Sequence, residues 1–503
     1  MTHPLICMTL TGRTIADDIS LVKKYSSKID LVELRVDYLS EEEQLYVRRF
    51  PSLVRHPCIL TIRRDVDGGL FTGGEFSRTN LFGRALAFAD PDRAKNFAYV
   101  DFEDDFHIPS IQDAAMAFGV RIIRSFHSMT EPVYNLRARC DSMRKTGYEI
   151  PKIAFMPKSI SDVANLFREA AGITEYDHIL CAMGPEGFPS RVLAGMTNSY
   201  LTYVSPAETA SNTRAIGHLD PDSINDIYHI RSIDGSTSLF GITGWPLVKT
   251  ASPELHNDGY RKFGMNSVYI PVRSPVVSEA LSFAEELNMK GLSVTVPHKE
   301  SVMYYLYDQS QEVVQIGACN TIVRRNDKWI GYNTDAYGFR RALEEFTEGI
   351  KLRRKKVAVI GAGGAAKAVA FTLRQLGARV CIFNRTELHA RQLAEKYGFD
   401  YAPLDPSSVE KLDEYSSLMI QTTPIGMNCD GPSNERNDPV YFYNFRGNEM
   451  LFDLIYVPSE TPVMRRASQA GCRVCNGMGM LLYQGYMQFK LFTGSDYESV
   501  KSE

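Results

Sequence analysis

The stretch that decides the fold of the C-terminal half is KKVAVIGAGGAAKAVAFTLRQLGARVCIFNRT, residues 355–386. It is predicted to form a buried strand, a glycine-rich loop, a helix and a second strand. The glycines permit a tight turn and close approach of the backbone to a ligand, and the helix N-terminus presents N–H groups to a pyrophosphate. We therefore predict a Rossmann-type dinucleotide site, whose loop is Gly361, Ala362, Gly363, Gly364, Ala365 and Ala366.

The end of the second strand indicates which dinucleotide binds. It is Asn384-Arg385-Thr386, with no Asp or Glu to accept the ribose 2′-hydroxyl of NAD. An arginine at this place suits a 2′-phosphate. The sequence favours NADP(H), with all three residues as cofactor contacts.

The length and net charge of the chain limit the number of domains and the classes of partner. At about 150 residues per domain, 503 residues predict about three compact units. The net charge of −4 offers no basic surface for nucleic acid or anionic lipid, so small-molecule partners are expected. The N-terminus lacks a signal-peptide pattern and no uncharged run approaches the ~20 residues of a membrane span, which predicts a cytoplasmic protein.

The cysteines indicate a reducing compartment. There are nine, an odd number, scattered and mostly within apolar runs. Cys472 and Cys475 form a C-x-x-C, but no second pair or histidine cluster accompanies them. We interpret both as packing residues and predict no metal site.

The first half carries a repeated strand pattern. Runs rich in apolar, β-branched and aromatic residues alternate with segments long enough for a helix, such as SDVANLFREAAG. The eight runs are LICMTL (from 5), LVELRV (31), CILTIR (58), FAYVDF (97), RIIRSF (121), IPKIAFM (150), HILCAMG (178) and YLTYVSP (200). Eight strands alternating with helices over roughly 230 residues predict a (β/α)8 TIM barrel.

Polar residues stand in or just after several of these strands. In a TIM barrel the chemistry lies at the C-terminal ends of the strands. A lysine inside so apolar a strand is a candidate amine nucleophile, although a strand lysine also often extends to a barrel rim and a lone histidine is usually structural. Together the set describes a carbonyl-binding amine, a proton-transfer base and anion-binding groups: Glu33, Arg35, Arg63, His127 and Lys152.

Residues 1–232 resemble type I 3-dehydroquinate dehydratase. The resemblance rests on V-E-L-R-V-D (32–37), T-I-R (61–63), S-F-H-S (125–128) and P-K-I-A-F-M-P (151–157). It implies that Lys152 forms an imine with the C3 ketone of the substrate. His127 would remove a C2 proton and then help the C1 hydroxyl to leave as water. The implied substrate-binding residues are Glu33, Arg35, Arg63 and Arg191.

The barrel departs from the family pattern at two places. Asp67 precedes Gly68-Gly69 where the family usually has Glu; it is one methylene shorter but still able to partner His127, and we place it among the substrate-binding residues. The lid element S-A-P-G-Q of the family appears as R-A-I-G-H (214–218), which puts Arg214 and His218 in place of Ser and Gln. Anchoring the element on Ser211 keeps the serine but loses the glycine match, so the lid contacts stay open.

Residues 238–495 resemble shikimate dehydrogenase and follow a polar linker near 231–239. The resemblance rests on G-L-S-V-T-V-P-H-K (291–299), I-G-A-C-N-T (316–321), G-Y-N-T-D-A-Y-G-F (331–339) and N-G-M-G-M-L-L-Y-Q-G (476–485). It implies an α/β substrate domain over 238–345, completed by a helix at about 476–495. The Rossmann NADP domain would span 346–475.

The same resemblance assigns residues to roles. Lys299 and Asp335 would be the catalytic pair. The structural alternatives are that Lys299 is a surface residue after a strand and that Asp335 is a helix N-cap. The other implied contacts are Thr295, Asn320 and Gln484 for ring hydroxyls, Thr250 and Ser252 for the carboxylate, and Thr423, Met427 and Gly477 for the cofactor.

Departures here bear on the substrate. Lys249 replaces a histidine of the family, and Ser293 and Gln421 stand where Asn is usual, which leaves room for a neighbouring substrate such as quinate. The leading expectation is two consecutive reactions: dehydration of 3-dehydroquinate to 3-dehydroshikimate, then its reduction to shikimate. A catalytically silent barrel and a quinate-oxidising enzyme are the alternatives.

Overall fold

A computed structural model describes residues 3–87, 90–213, 216–247 and 250–500. The chain divides into two compact units, Met1–Met289 and Lys290–Glu503. Within the described ranges, no helix combines the length and the apolar character needed to cross a membrane.

The first unit begins with a parallel eight-stranded sheet. Its strands are β1 (Leu5–Leu10), β2 (Leu31–Arg35), β3 (Cys58–Thr61), β4 (Tyr99–Glu103), β5 (Arg121–Ser128), β6 (Ile150–Phe155), β7 (Ile179–Ala182) and β8 (Leu201–Val204). They are ordered β7-β6-β5-β4-β3-β2-β1-β8, and a parallel bridge between His178 and Ser199 brings the two edges together. All eight predicted runs form strands, and the predicted (β/α)8 barrel is confirmed.

Helices surround these strands. They are α1 (Ile15–Tyr25), α2 (Glu41–Gln44), α3 (Phe50–Leu53), α4 (Gly74–Leu86), α5 (Pro109–Ala117), α6 (Leu136–Met143), α7 (Ile160–Ala170), α8 (Phe188–Val192) and α9 (Ala210–Thr213). The predicted helix α7 begins at a capping box formed by Ser159 and Asp162. It buries Ile160 and Val163 at helical spacing.

The first unit ends with a parallel strand pair and two helices. These are β9 (Ser238–Gly244), α10 (Ser252–Lys262), β10 (Ser267–Arg273) and α11 (Val277–Glu286). Strand β10 pairs with β9 along its whole length, from Ser267 opposite Ser238 to Arg273 opposite Gly244. A parallel pair of strands joined by a helix is a β-α-β unit, as expected for an α/β segment.

The second unit opens with a small mixed sheet. Its elements are β11 (Gly291–Val294), α12 (His298–Ser301), β12 (Asp308–Gln309), α13 (Gln311–Ile316), β13 (Thr321–Arg325), β14 (Lys328–Tyr332) and α14 (Asp335–Phe346). Strand β13 lies antiparallel to both β11 and β14, while β12 joins β14 in parallel.

A parallel six-stranded sheet follows. Its elements are β15 (Lys356–Ile360), α15 (Gly364–Gln375), β16 (Arg379–Asn384), α16 (Glu387–Tyr397), β17 (Asp400–Pro403), α17 (Val409–Tyr415), β18 (Leu418–Gln421), β19 (Met450–Asp453), α18 (Pro462–Gln469), β20 (Arg473–Cys475) and α19 (Met478–Thr493). The strand order is β17-β16-β15-β18-β19-β20. Because the order reverses at β15, the glycine loop leaves the sheet at the switch point where dinucleotides bind, which confirms the Rossmann prediction.

Candidate active sites

A pocket opens at the C-terminal ends of the barrel strands. It brings together all the charged and ionisable side chains predicted for the dehydratase half. The lining residues are Glu33, Arg35, Arg63, Asp67, Gly68, His127, Met129, Lys152, Ala154, Cys181, Met183, Arg191, Tyr203, Ile216 and His218.

Lys152 lies at the floor of this pocket, in the middle of β6. Its side chain is buried, and Nζ donates a hydrogen bond to Asp101 Oδ2 at 2.9 Å. A second carboxylate oxygen, Glu33 Oε1, lies 3.7 Å from Nζ. A buried ammonium is tolerated only when it is paired, and these two carboxylates provide the pairing. The amine is therefore held in one place at the end of a rigid strand.

Asp101 in β4 is a site residue that sequence reasoning missed. Its Oδ1 accepts a hydrogen bond from Ser125 Oγ at 2.5 Å and lies 2.8 Å from Arg63 Nη2. Burial alone would raise the pKa of Asp101, but Arg63 and Lys152 outweigh it and hold that pKa well below its usual range. The signal was available, because an acid inside the apolar run FAYVDF requires a buried cation.

The predicted anion-binding arginines differ in their surroundings. Arg35 donates two hydrogen bonds to Asp37, from Nε at 2.9 Å and from Nη2 at 2.7 Å. Arg63 donates from Nη1 to Glu103 Oε1 at 2.7 Å, in addition to its contact with Asp101. Both guanidinium groups already have carboxylate partners, so their charges are largely compensated within the protein.

Arg191 in α8 is the exception. It is 2% exposed, and within the described residues its Nε and Nη1 have no hydrogen-bond partner. Its Nη2 donates to the backbone oxygen of Ile216. A buried guanidinium without a carboxylate partner is costly, and a bound anion would compensate it. Arg191 is the residue of this pocket best suited to bind a substrate carboxylate.

His127 faces the same pocket from the end of β5. Burial lowers the pKa of His127 well below 6.5, and the positive charges of Arg63 and Lys152 lower it further. A neutral imidazole is the form that acts as a base. The expected partnership with Asp67 is not what the structure shows, since Asp67 Oδ2 accepts a hydrogen bond from Arg64 Nε at 2.6 Å. Arg64 binds the Asp67 carboxylate in place of His127 because Arg64 and Asp67 belong to the same loop.

The lid segment contributes His218. Its Nδ1 lies 2.7 Å from Ser205 Oγ, and its ring stacks on Tyr203 at 6.1 Å between centroids. Ser211 lies in α9 and is exposed, whereas Arg214 is outside the described residues.

The second unit contains a second cluster of predicted site residues. Lys299 Nζ donates a hydrogen bond to Asp335 Oδ2 at 2.6 Å. Asn320 Nδ2 donates to Asp335 Oδ1 at 2.9 Å and lies 3.4 Å from Gln484 Oε1. The carboxylate is thus held at both oxygens and presents the lysine in a fixed orientation. Thr295 follows β11 and is partly buried near the start of α12.

Helix α19 supplies a further member of this network that sequence reasoning missed. Gln488 Nε2 donates to Thr321 Oγ1 at 3.0 Å, and Gln488 Oε1 accepts from Ser293 Oγ at 3.0 Å. Ser293, which departs from the family pattern, therefore makes an internal hydrogen bond. The signal was the spacing, because Gln488 follows Gln484 by one helical turn.

The predicted carboxylate-binding hydroxyls belong to the first unit. Thr250 Oγ1 and Ser252 Oγ lie 3.1 Å apart at the start of α10, and Ser252 N donates to Thr250 Oγ1 at 3.2 Å. Lys249 lies outside the described residues.

The glycine loop joins β15 to α15. Gly361 has a φ of +109°, and a Cβ there would lie 2.5 Å from Thr422 Oγ1. Gly363 precedes the helix with open space beside it, and the aliphatic chain of Lys299 passes 3.5 Å from where a Cβ on Gly364 would lie. Ala362 and Ala365 are partly buried, whereas the Ala366 side chain is in the core.

The remaining cofactor residues surround this loop to different degrees. Asn384 Nδ2 donates to Thr386 O at 2.9 Å, which leaves Arg385 between them and exposed. Thr423 N donates to Gln421 Oε1 at 2.6 Å, so Gln421 shapes the loop that leads to Met427. The side chain of Met427 is 39% exposed. Gly477 is the N-cap residue of α19.

Three family models match consecutive parts of the chain. Residues 6–235 match type I 3-dehydroquinase, and residues 242–322 match the shikimate dehydrogenase substrate binding domain. Residues 341–423 match shikimate / quinate 5-dehydrogenase. The matches follow the order that the sequence motifs predict, and residues 6–235 include every residue that lines the barrel pocket.

Similar proteins include fused and single enzymes. A bifunctional 3-dehydroquinate dehydratase/shikimate dehydrogenase of Arabidopsis thaliana, described as chloroplastic, is 30% identical over 97% of this chain and 82% of its own length. A shikimate dehydrogenase (NADP(+)) of Carboxydothermus hydrogenoformans is 36% identical over 52% of this chain and 94% of its own length. The solved dehydroquinate dehydratase and shikimate dehydrogenase from S. pombe AroM covers 99% of this chain and 98% of its own, with 25% identity and a TM-score of 0.43. The chain belongs to the family of bifunctional 3-dehydroquinate dehydratase/shikimate dehydrogenases.

Proposed function

We propose that the barrel pocket dehydrates 3-dehydroquinate to 3-dehydroshikimate and that the second active site reduces this product to shikimate with NADPH. The observation that carries the proposal is the buried Lys152 amine held by Asp101, with neutral His127 in the same pocket. This arrangement also argues against a catalytically silent barrel.

The charge balance of the pocket supports imine chemistry. When the Lys152 amine adds to the C3 ketone and water leaves, the protonated imine keeps the positive charge that the ammonium carried. That charge stays beside Asp101 and Glu33, so no carboxylate loses its partner. His127 then takes the C2 proton, the imine accepts the electron pair, and the C1–O bond breaks as His127 returns the proton to the leaving hydroxyl. Arg191 holds the substrate carboxylate throughout.

The glycine loop fits a dinucleotide. Helix α15 is 12 residues long and begins directly after Gly363, where open space adjoins the backbone. Exposed Arg385 suits the 2′-phosphate, as the NADP(+) relative supports. Bound NADPH would supply the hydride. Lys299, oriented by Asp335, would hold a proton at the ketone oxygen. The ring hydroxyls of the substrate would contact Thr295, Asn320 and Gln484. Its carboxylate would contact Thr250 and Ser252.

The division of labour follows the predicted domains: residues 1–232 for dehydration, 238–345 with 476–495 for substrate binding, and 346–475 for NADP. The contact between Asn320 and Gln484 supports assigning the last helix to the substrate domain. Nine free cysteines support action in a reducing, cytoplasmic compartment.

An NADPH-consumption assay with two alternative substrates tests both reactions. With 3-dehydroquinate, NADPH is consumed only if both sites work, whereas 3-dehydroshikimate requires the second site alone. We expect Lys152→Ala to abolish consumption with 3-dehydroquinate and to preserve it with 3-dehydroshikimate. We expect Lys299→Ala to abolish both, and exposed Lys328→Ala to change neither.

Borohydride trapping tests the imine itself. Borohydride reduction in the presence of 3-dehydroquinate should leave a secondary-amine adduct, formed with loss of water and gain of two hydrogens, on Lys152 and not on Lys158, an exposed lysine just after the same strand. Equal labelling of parent and Lys152→Ala protein would refute the imine. Faster oxidation of quinate than of shikimate, with either cofactor, would replace shikimate as the proposed substrate.

A further inference from the structure

Arg273, the last residue of β10, reaches from the proposed dehydrogenase part of the chain to the barrel. Its Nη1 donates a hydrogen bond to the backbone oxygen of Pro185 at 3.1 Å. Its guanidinium lies 5.4 Å from the centre of the Phe188 ring. On its other side, Nε lies 3.5 Å from the backbone oxygen of Leu247, in the segment that leads to Thr250.

This contact is not an ordinary surface ion pair. Among the described residues no carboxylate lies within ion-pair distance of Arg273, and burial lowers its pKa. A mostly buried guanidinium held by carbonyl oxygens and an aromatic ring carries a desolvation cost that a surface contact avoids. The Arg273 guanidinium is therefore held at one place, against the backbone oxygen of Pro185 and the ring of Phe188.

The barrel segment that Arg273 contacts leads directly into the dehydratase pocket. Phe188 is the first residue of α8, and Arg191, the buried arginine with two unpartnered nitrogens, stands three residues later in the same helix. Phe188 also packs edge-on against Tyr228 at 5.3 Å. The start of α8 is thus held by Arg273 on one side and by the barrel on the other.

The same segment also supports the lid. A Cβ on Gly217 would lie 2.5 Å from the backbone oxygen of Gly184, so the two backbones are in close contact. Arg191 in turn donates to Ile216 O, next to Gly217. A shift of Pro185 would therefore move both the helix that carries Arg191 and the backbone that this arginine contacts.

We infer that Arg273 is a positioning residue for the dehydratase: it fixes the Pro185–Phe188 segment and thereby holds Arg191 where the substrate carboxylate binds. The inference rests on the proposed function of the barrel pocket. It makes the dehydratase dependent on a side chain from the other half of the chain.

The test uses full-length Arg273→Met, which keeps the aliphatic bulk and removes the hydrogen bond. Because Arg191 binds the substrate before and during the reaction, we expect the dehydratase KM for 3-dehydroquinate to rise roughly three- to tenfold, with kcat within about twofold of the parent. Arg273→Lys, which keeps one charged donor, should give an intermediate KM. The matched control is Arg168→Met, which breaks the exposed ion pair with Glu286 between α7 and α11 and should leave both constants unchanged.

A double substitution shows whether Arg273 acts through Arg191. In an Arg191→Ala background, Arg273→Met should add no further increase in KM, because the group that it positions is gone. The inference is overturned if KM is unchanged, if kcat falls alone, if Arg168→Met has the same effect, or if the two arginine effects multiply.

If Arg273→Met fails to fold, as judged by thermal unfolding, Arg273→Lys is assessed by the same criteria. Absence of dehydratase activity in the parent chain would refute the proposed function, which separates that failure from failure of this inference.

Discussion

Lys152 Nζ and Asp101 Oδ2 lie 2.9 Å apart across the barrel interior, on strands β6 and β4. Strand β5 runs between them and carries His127 at its end. The amine, its counterion and the base thus come from three adjacent strands, and the sheet fixes their separations.

Replacing the counterion should impair dehydration. Asp101→Asn keeps the shape of the side chain but removes one of the two carboxylates beside each cation, leaving Lys152 with Glu33 and Arg63 with Glu103. We expect the dehydratase kcat to fall about a hundredfold and reduction of 3-dehydroshikimate to be unaffected. Asp113→Asn, at an exposed acid on α5, is the control. Parent-like dehydration by Asp101→Asn would show that Glu33 alone suffices.

The dehydratase should stay active in mildly acidic solution. A base must be unprotonated, and the pKa of His127 is lowered well below 6.5 by burial and by Arg63 and Lys152. Activity is therefore retained at pH 6.5 and lost only as the pH falls through the lower value. A profile of kcat/KM against pH measures this directly. An acidic limb centred at or above pH 6.5 would contradict the neutral-base assignment.

Two glycines of the dinucleotide loop should behave differently when changed to alanine. Gly361→Ala places a side chain at φ +109° against Thr422, and we expect a loss of about 1–3 kcal/mol in the free energy of unfolding. Gly363→Ala meets no protein atom, so stability should be unchanged while the Kd for NADPH rises about tenfold, because the methyl group occupies ligand space. Denaturant unfolding and NADPH titration distinguish the two; unchanged affinity in Gly363→Ala would mean that the pyrophosphate lies elsewhere.

Cofactor preference should depend on Arg385. Arg385→Ala removes a charged partner of the 2′-phosphate, so kcat/KM for NADPH should fall at least about tenfold. NADH lacks this phosphate, so kcat/KM for NADH should be unchanged. Arg391→Ala, which removes an exposed pair with Glu395 on α16, is the control. Equal losses with both cofactors would assign Arg385 a structural role.

The sequence predicted strands better than it predicted pairs of side chains. The apolar runs at Leu5 and Ile150 became strands because period and burial are local properties of the chain. Lys152 and His127 were found because strand ends converge in a barrel. Asp101 was missed as a partner of Lys152 because the two are separated by 51 residues and no local pattern links them.

Competition between neighbouring side chains explains why Asp67 pairs with Arg64 instead of His127 in the structure. Asp67 is able to partner His127, yet its carboxylate pairs with Arg64, three residues earlier. Both pairings were compatible with the sequence. The backbone geometry of the loop decides between them, and that geometry depends on contacts that no local sequence pattern encodes.

Helix α19 has a consequence for biosynthesis. Asn320 and Gln484 are separated by 164 residues, and their contact completes the buried network around Asp335. All eight barrel strands, by contrast, have been synthesised once translation reaches Val204, the last residue of β8. On a ribosome, which makes domains from the N-terminus onward, the barrel can fold while the remainder is still being translated. The second active site must wait for nearly the whole chain, so translation products that end after Arg273 but before Gln484 would carry the first reaction without the second.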